Sequence, residues 1–424
     1  MTIAAWRPAS PASSSFDLNG MRSRPLGRAF VRLFVDSPQW WMRWLRKEWP
    51  IFRVPGLGLT VVTRFEHVQE VLARDQVFQT PFAHRMMELI TGPTFVLALQ
   101  DGDDYRRQRG QLMHAFKLED VAPRISDWSG DVAEAIVERS GGRLDAVEDL
   151  LTFVPTLLCR DYYGLDIRNP TLFAQWTLAV SAYVFGWPWG QRDRHTDTAK
   201  AAASGMREVI DESIRQAHRA PDPRTIVGRL VALQGQPGGP SDDLIRAELF
   251  GMVTGFVPTN TIASAHMLEM LLRRRDMLEL AQAAAAKDDD ERLWRCLFEA
   301  LRFKPINPGP YRVCARDYTI AEGGPDAKPI RAGSRLLVST QSAMFDEQSV
   351  VEPERFDPDR PRQDSMVFGY GLHWCIGAFL AAAQITRTLK PLLKTRRLRR
   401  GDYGAARLER IGFMPVHLRV EFDP

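Results

Sequence analysis

The chain has 424 residues, 45% hydrophobic and 25% charged, enough apolar material for a large buried core and incompatible with a disordered or fibrous protein. Its 56 Lys and Arg against 52 Asp and Glu leave a net charge of +4, which gives no basis for a nucleic-acid partner. Four cysteines (Cys159, Cys296, Cys314, Cys375) show neither zinc spacing nor a disulfide framework, so a reducing, cytoplasmic compartment is expected. No apolar run is long enough to span a bilayer, and no secretory segment or internal repeat is visible.

Residues 1–20 are rich in Ala, Pro and Ser and read as a disordered leader; residues 21–424 read as one domain. Between Phe30 and Trp49, four tryptophans lie among Arg32, Arg43, Arg46 and Lys47. The favoured reading is an amphipathic helix that covers the core with its basic residues in water; peripheral membrane contact is the less favoured alternative. Ile51–Val54 and Leu59–Thr63 predict a hairpin around Pro55-Gly-Leu-Gly58, and Phe65–Arg74 a helix. Phe82–Leu99 is apolar but irregular.

Asp101–Arg109 opens a helix on which Tyr105 and Arg109 share a face. From Asp127 to Leu233 the pattern is mostly helical, broken at Gly141-Gly142, Asn169-Pro170, Trp187-Pro188 and Pro221–Pro223. Ser241-Asp-Asp243 then starts a long helix to about Arg274, with Pro258 inside it predicting a kink. About Met277 to Leu301 reads as a helix, and Glu299 and Arg302 at its end form an i,i+3 pair.

The most informative stretch is Phe368-Gly-Tyr-Gly-Leu-His-Trp-Cys-Ile-Gly377. Cys375 sits in a glycine-punctuated loop before the helix-forming run Ala378–Ala383, where a thiolate gains from backbone N–H groups and the helix dipole. Gly369 and Gly371 allow positive φ, and Gly377 leaves room for a flat ligand. Phe368 offers an apolar shield and His373 a polar donor. A metal-bound thiolate needs these surroundings.

This pattern resembles the haem-binding loop of the cytochrome P450 family. The resemblance extends from about residue 30 to the end and implies a mainly α fold with small β-sheets. It implies haem b (iron protoporphyrin IX) with Cys375 as the metal ligand, and Tyr105, Arg109, Arg312, Phe368, Gly369, His373 and Gly377 around the cofactor. Tyr105, in place of the family's His or Trp, is expected to donate to a propionate together with Arg109, Arg312 and His373. Glu299 and Arg302 match the family's Glu-x-x-Arg pair, and Arg355 is expected to complete a Glu–Arg–Arg network. Phe82–Leu99 and Phe173–Trp189 are expected over an apolar or lipid-like substrate, with Phe413 and Met414 reaching into the pocket. The basic run from Lys390 to Arg400 reads as a solvated face, or by resemblance as a surface for an acidic electron donor.

The long helix departs from the family. Val257 stands where an acid, and Pro258 where a threonine, help to deliver protons to dioxygen; Thr259 could take the alcohol's place. Ala382 and Gln384 also depart from the pattern. The expected function is a monooxygenase using dioxygen and electrons from a ferredoxin and its reductase, because no dinucleotide-binding glycine motif is present. Two alternatives stay open: a peroxide-driven peroxygenase and a haem-thiolate sensor without turnover.

Overall fold

The computed structural model describes residues 39–186, 194–404 and 406–423. The leader 1–20 and the Trp187-Pro188 break lie outside them. The architecture is mainly helical with small sheets at the edges, as the sequence predicts. Its axis is a 32-residue helix, Asp242–Arg273. Ser241 caps it by accepting from Leu244 N at 3.3 Å, and Asp242 and Asp243 complement the positive end of its dipole. Nearly every residue from Leu244 to Leu271 is buried, which fits a helix surrounded by protein. Its first half (Ile245–Val257) belongs to one core cluster and its second half (Ala263–Leu271) to another.

Pro258 does not end this helix or change its type. Hydroxyls along it donate to carbonyls one turn back: Thr254 to Phe250 O at 2.7 Å, Thr261 to Val257 O at 2.8 Å, Thr259 to Gly255 O and Ser264 to Asn260 O.

The largest sheet has five strands, with Ile51–Val54 on one edge and Phe78–Gln79 on the other. Ile51–Val54 pairs antiparallel with Leu59–Val62 as predicted, Ile51 opposite Val62. Leu59–Val62 runs parallel to Arg335–Val338, which pairs antiparallel with Tyr311–Cys314. A second sheet joins Arg143–Asp145, Arg419–Glu421 and Arg399–Arg400, tying the end of the chain to its middle.

Two local readings change. The irregular Phe82–Leu99 segment contains a helix, Ala83–Ile90, and a 3-10 turn, Val96–Ala98. The helix expected from Met277 to Leu301 is two helices, Arg275–Ala286 and Asp290–Phe303. Asp288 takes a positive φ of 56°, and Asp289 caps the second helix by accepting from Arg292 N at 2.9 Å.

Candidate haem-thiolate site

The cysteine loop is built by its glycines. Gly369 and Gly371 take φ of 81° and 73°. A Cβ on Gly371 would lie 2.4 Å from Leu72 O, so no side chain fits there. Gly377 has no such backbone demand; a Cβ there would lie at ordinary van der Waals distance, 4.0 Å, from Cys375 Sγ, on the face beside the sulfur. Cys375 N donates to Phe368 O at 3.0 Å, closing the loop, and the helix Ala378–Lys394 follows directly. Burial raises the thiol pKa, while Gly377 N–H and the Arg109 charge pull it back. Phe368 stacks on Phe298 and Trp294, ring centres 5.7 and 6.3 Å away, and so walls one side of the loop.

A buried cationic edge stands beside the loop. Arg312 is 4% exposed and donates to Tyr311 O at 2.8 Å; burial lowers its pKa to about 10. Both ring nitrogens of His373 are buried and lack a hydrogen-bond partner. Burial, then the Arg312 charge, lower the His373 pKa to about 4, so the ring is neutral. A cavity of about 150 Å³ opens beside these two residues, walled by Pro305, Ile306 and Val367. Arg109 Nη1 donates to Tyr105 Oη at 3.1 Å, and that hydroxyl donates to Leu372 O at 2.7 Å. Tyr105 therefore places its proton on the loop backbone and holds Arg109, where the sequence suggested a direct propionate donor.

The loop is locked from behind by a buried ion network. Arg302 meets Glu299 with two parallel hydrogen bonds, at 2.9 and 2.8 Å, and donates to Met344 O and Pro353 O. The second arginine on Glu299 is Arg360, at 3.3 Å and 6% exposed, not the Arg355 expected from sequence. Arg355 points outward and pairs with exposed Glu352. Arg360 also donates to Val351 O, Glu352 O and Arg355 O, so its backbone partners surround the position the sequence assigned to Arg355.

On the long helix, Val257 and Pro258 are both buried. Between Leu249 and Asn260 only Gly255 and Thr259 are partly open, and a Cβ on Gly255 would meet nothing within 4 Å. These residues lie one turn apart and form the helix's open stripe; Gly255 was missed in the sequence, where only its freedom from a side chain could have signalled it. Asn260 Nδ2 donates to Gln384 Oε1 at 2.9 Å and Gln384 Nε2 to Thr388 Oγ1 at 2.7 Å. This buried chain joins the long helix to the helix after Cys375, and gives Gln384 a role its departure from the family pattern had hidden.

The family model for cytochrome P450 matches residues 33–402. The chain belongs to the cytochrome P450 family. It is 25% identical to the cyclomarin C epoxidase CymV of Salinispora arenicola, over 81% of this chain and 85% of that protein. It is equally identical to a steroid C26-monooxygenase of Mycobacterium tuberculosis, over 83% of this chain and 84% of that one. Among solved structures, the open cytochrome P450 EryK from S. erythraea superposes with a TM-score of 0.76 at 22% identity, covering 92% of this chain and 97% of its own, which shows the fold.

The protein is thus a P450 monooxygenase whose cofactor is haem b. The residues present fit that group. The orphaned nitrogens of His373 and the buried guanidinium of Arg312 are the donors that two buried carboxylates require, and unpaired burial of either partner would be costly. Within the Lys390–Arg400 run several cations are paired while Arg396 and Arg397 stay exposed. Lys390 is 5% exposed and bound to Asp288 and Asp290, Lys394 to Asp288, Arg399 to Glu421 and Arg400 to Glu269. Of the closing hairpin, Met414 is buried and Phe413 exposed at the turn.

Proposed function

We propose that this P450 inserts one atom of dioxygen into an apolar small molecule, releasing the other as water, with electrons from a separate ferredoxin and its reductase in the cytoplasm. Cys375 would hold the haem iron, and Arg312, His373 and Arg109 its propionates. When bound, the haem supplies the centre at which oxygen is activated, with the thiolate enriching the metal in electron density. The observation that carries the reading is the conjunction of Cys375 with a buried polar edge, formed by the Arg312 guanidinium and a neutral His373 whose ring nitrogens lack partners.

The chain's own residues supply the rest. Phe95, Val96, Met252 and Phe256 belong to the same apolar cluster as the first half of the long helix, and Phe82 meets Phe185 edge-on at 5.3 Å; these surroundings favour an apolar substrate. The steroid and cyclomarin C in the relatives' names support a bulky substrate. Thr259 places its hydroxyl proton at Gly255 O, which leaves its oxygen free to accept a hydrogen bond but not to donate that proton. Protons would then travel by water or by the substrate.

That same commitment favours a second reading, peroxide-driven oxidation, because an oxidant already carrying its protons and electrons needs no relay. The two separate in a paired turnover assay on purified holoenzyme. One arm receives dioxygen, NADPH and a surrogate ferredoxin pair; the other receives hydrogen peroxide without reductant. Each arm includes the same panel of apolar substrates. Product in the reductase arm supports the monooxygenase. Product in the peroxide arm alone overturns it.

A further inference from the structure

The helix Gln39–Glu48 covers the core as the sequence predicted, but its outer face is not simply polar. Met42 and Leu45 are buried, and Arg46 donates to Ser342 O and Oγ at 3.1 and 3.0 Å, pinning the helix to the body of the protein. The opposite side carries Arg43, Trp44 and Lys47. Trp44 is 49% exposed and Trp49 52%, although tryptophan is normally among the most covered side chains. The two rings meet edge-on at 4.8 Å, and Trp49 stacks on Phe52 at 6.0 Å. Phe52 and Val54 share one side of the strand Ile51–Val54, both half-buried, and the hairpin tip ends in Leu57, 54% exposed. Trp44, Trp49, Phe52, Val54 and Leu57 therefore form an apolar strip from the helix to the end of the hairpin, on the edge strand of the main sheet.

The charge around this strip selects its occupant. The Lys47 side chain is 82% exposed and Arg43 61%; the acids nearby are Glu48 and Glu347, the latter bonded to Arg43 at 2.6 Å, with Asp346 and Glu354 acting on Arg46. Indole rings with flanking basic side chains match the headgroup region of an anionic bilayer, which offers an apolar boundary beside negative charge. We infer that the Trp44–Leu57 strip is a peripheral docking surface for anionic phospholipid membranes. The attachment is interfacial, since no helix among the described residues is long and apolar enough to cross a membrane.

The test uses full-length holoenzyme and flotation with vesicles of phosphatidylcholine alone or mixed with phosphatidylglycerol, at low and high salt. The expected result is association with the phosphatidylglycerol vesicles at low salt and its loss at high salt. The triple variant Trp44→Ser, Trp49→Ser, Leu57→Ser should weaken it by roughly fivefold or more, and Lys47→Glu should weaken it with no change to the apolar strip. An unchanged haem spectrum in both variants shows that the fold is kept. Failure of wild type to float at low salt overturns the proposal. So does flotation that the variants leave intact, or a wild-type dimer in size exclusion that the triple variant dissolves while flotation is unaffected.

Discussion

Exchanging the roles of two neighbouring arginines tests the network behind the cysteine loop. Arg360 is 6% exposed, lies 3.3 Å from Glu299 and donates to three backbone carbonyls, the shortest bond 2.7 Å to Val351 O. Arg360→Ala would remove the Arg360 donor from those carbonyls, of which Arg355 O keeps a bond from Arg302 at 3.3 Å, and would take one of two cations from a carboxylate that is 4% exposed. Breaking a buried pair in this way costs about 3–5 kcal/mol. Arg355→Ala removes one exposed contact to Glu352 at 3.1 Å, worth about 0–1 kcal/mol. Urea unfolding of the two variants, with the haem Soret band and far-UV circular dichroism followed together, should separate them by at least about 2 kcal/mol. Arg360→Ala should also release haem at lower urea. Equal midpoints, or a larger loss in Arg355→Ala, would refute the assignment of Arg360.

Three further substitutions follow from the same geometry. Glu248 accepts from Val96 N at 3.1 Å with its second oxygen buried and unpartnered, and burial raises its pKa to about 8. A folded-state pKa above the unfolded value means that the native state holds the extra proton, so stability is lost as pH rises from about 5 to 8; against Glu248→Gln the loss should approach about 1.4 kcal/mol per pH unit in denaturant titrations, and parallel pH profiles would contradict it. Gly255→Ala meets nothing within 4 Å and gains helix propensity, so melting should shift upward by up to about 1 kcal/mol while substrate oxidation falls as the open stripe narrows; unchanged turnover would remove Gly255 from the pocket. Gly371→Ala combines a φ of 73° with a 2.4 Å approach to Leu72 O, and should express with low haem content by pyridine haemochromogen assay; full occupancy would show that the loop tolerates a side chain there.

The parts of the site legible in sequence were those encoded locally. The cysteine loop lies within ten residues, and Gly369 and Gly371 take the positive φ expected of them. Glu299 and Arg302 lie one helical turn apart, so their pairing follows from helix geometry. The hairpin from Ile51 to Val62 was readable from its turn and flanking apolar runs. Features set by distant contacts were hidden. Arg355 and Arg360 are five residues apart in a segment with no periodicity, and only the packed fold decides which turns inward. The open stripe at Gly255 and Thr259 depends on what the rest of the protein leaves uncovered. The Asn260–Gln384 bond joins residues 124 positions apart, and Gln384 looked merely atypical in sequence. The acids that pair with Lys390, Arg399 and Arg400 come from three other segments, so those pairs could not be read from the basic run itself.

The central claim is that Cys375 presents the thiolate to haem within this loop. The most direct measurement is the reduced, carbon-monoxide-bound absorption spectrum of wild type beside Cys375→Ala and Cys375→His, with Cys159→Ala as a control for a cysteine fully buried elsewhere. The account predicts the red-shifted thiolate Soret band in wild type and Cys159→Ala, and its loss in both Cys375 variants. A thiolate band that survives the removal of Cys375 would contradict it.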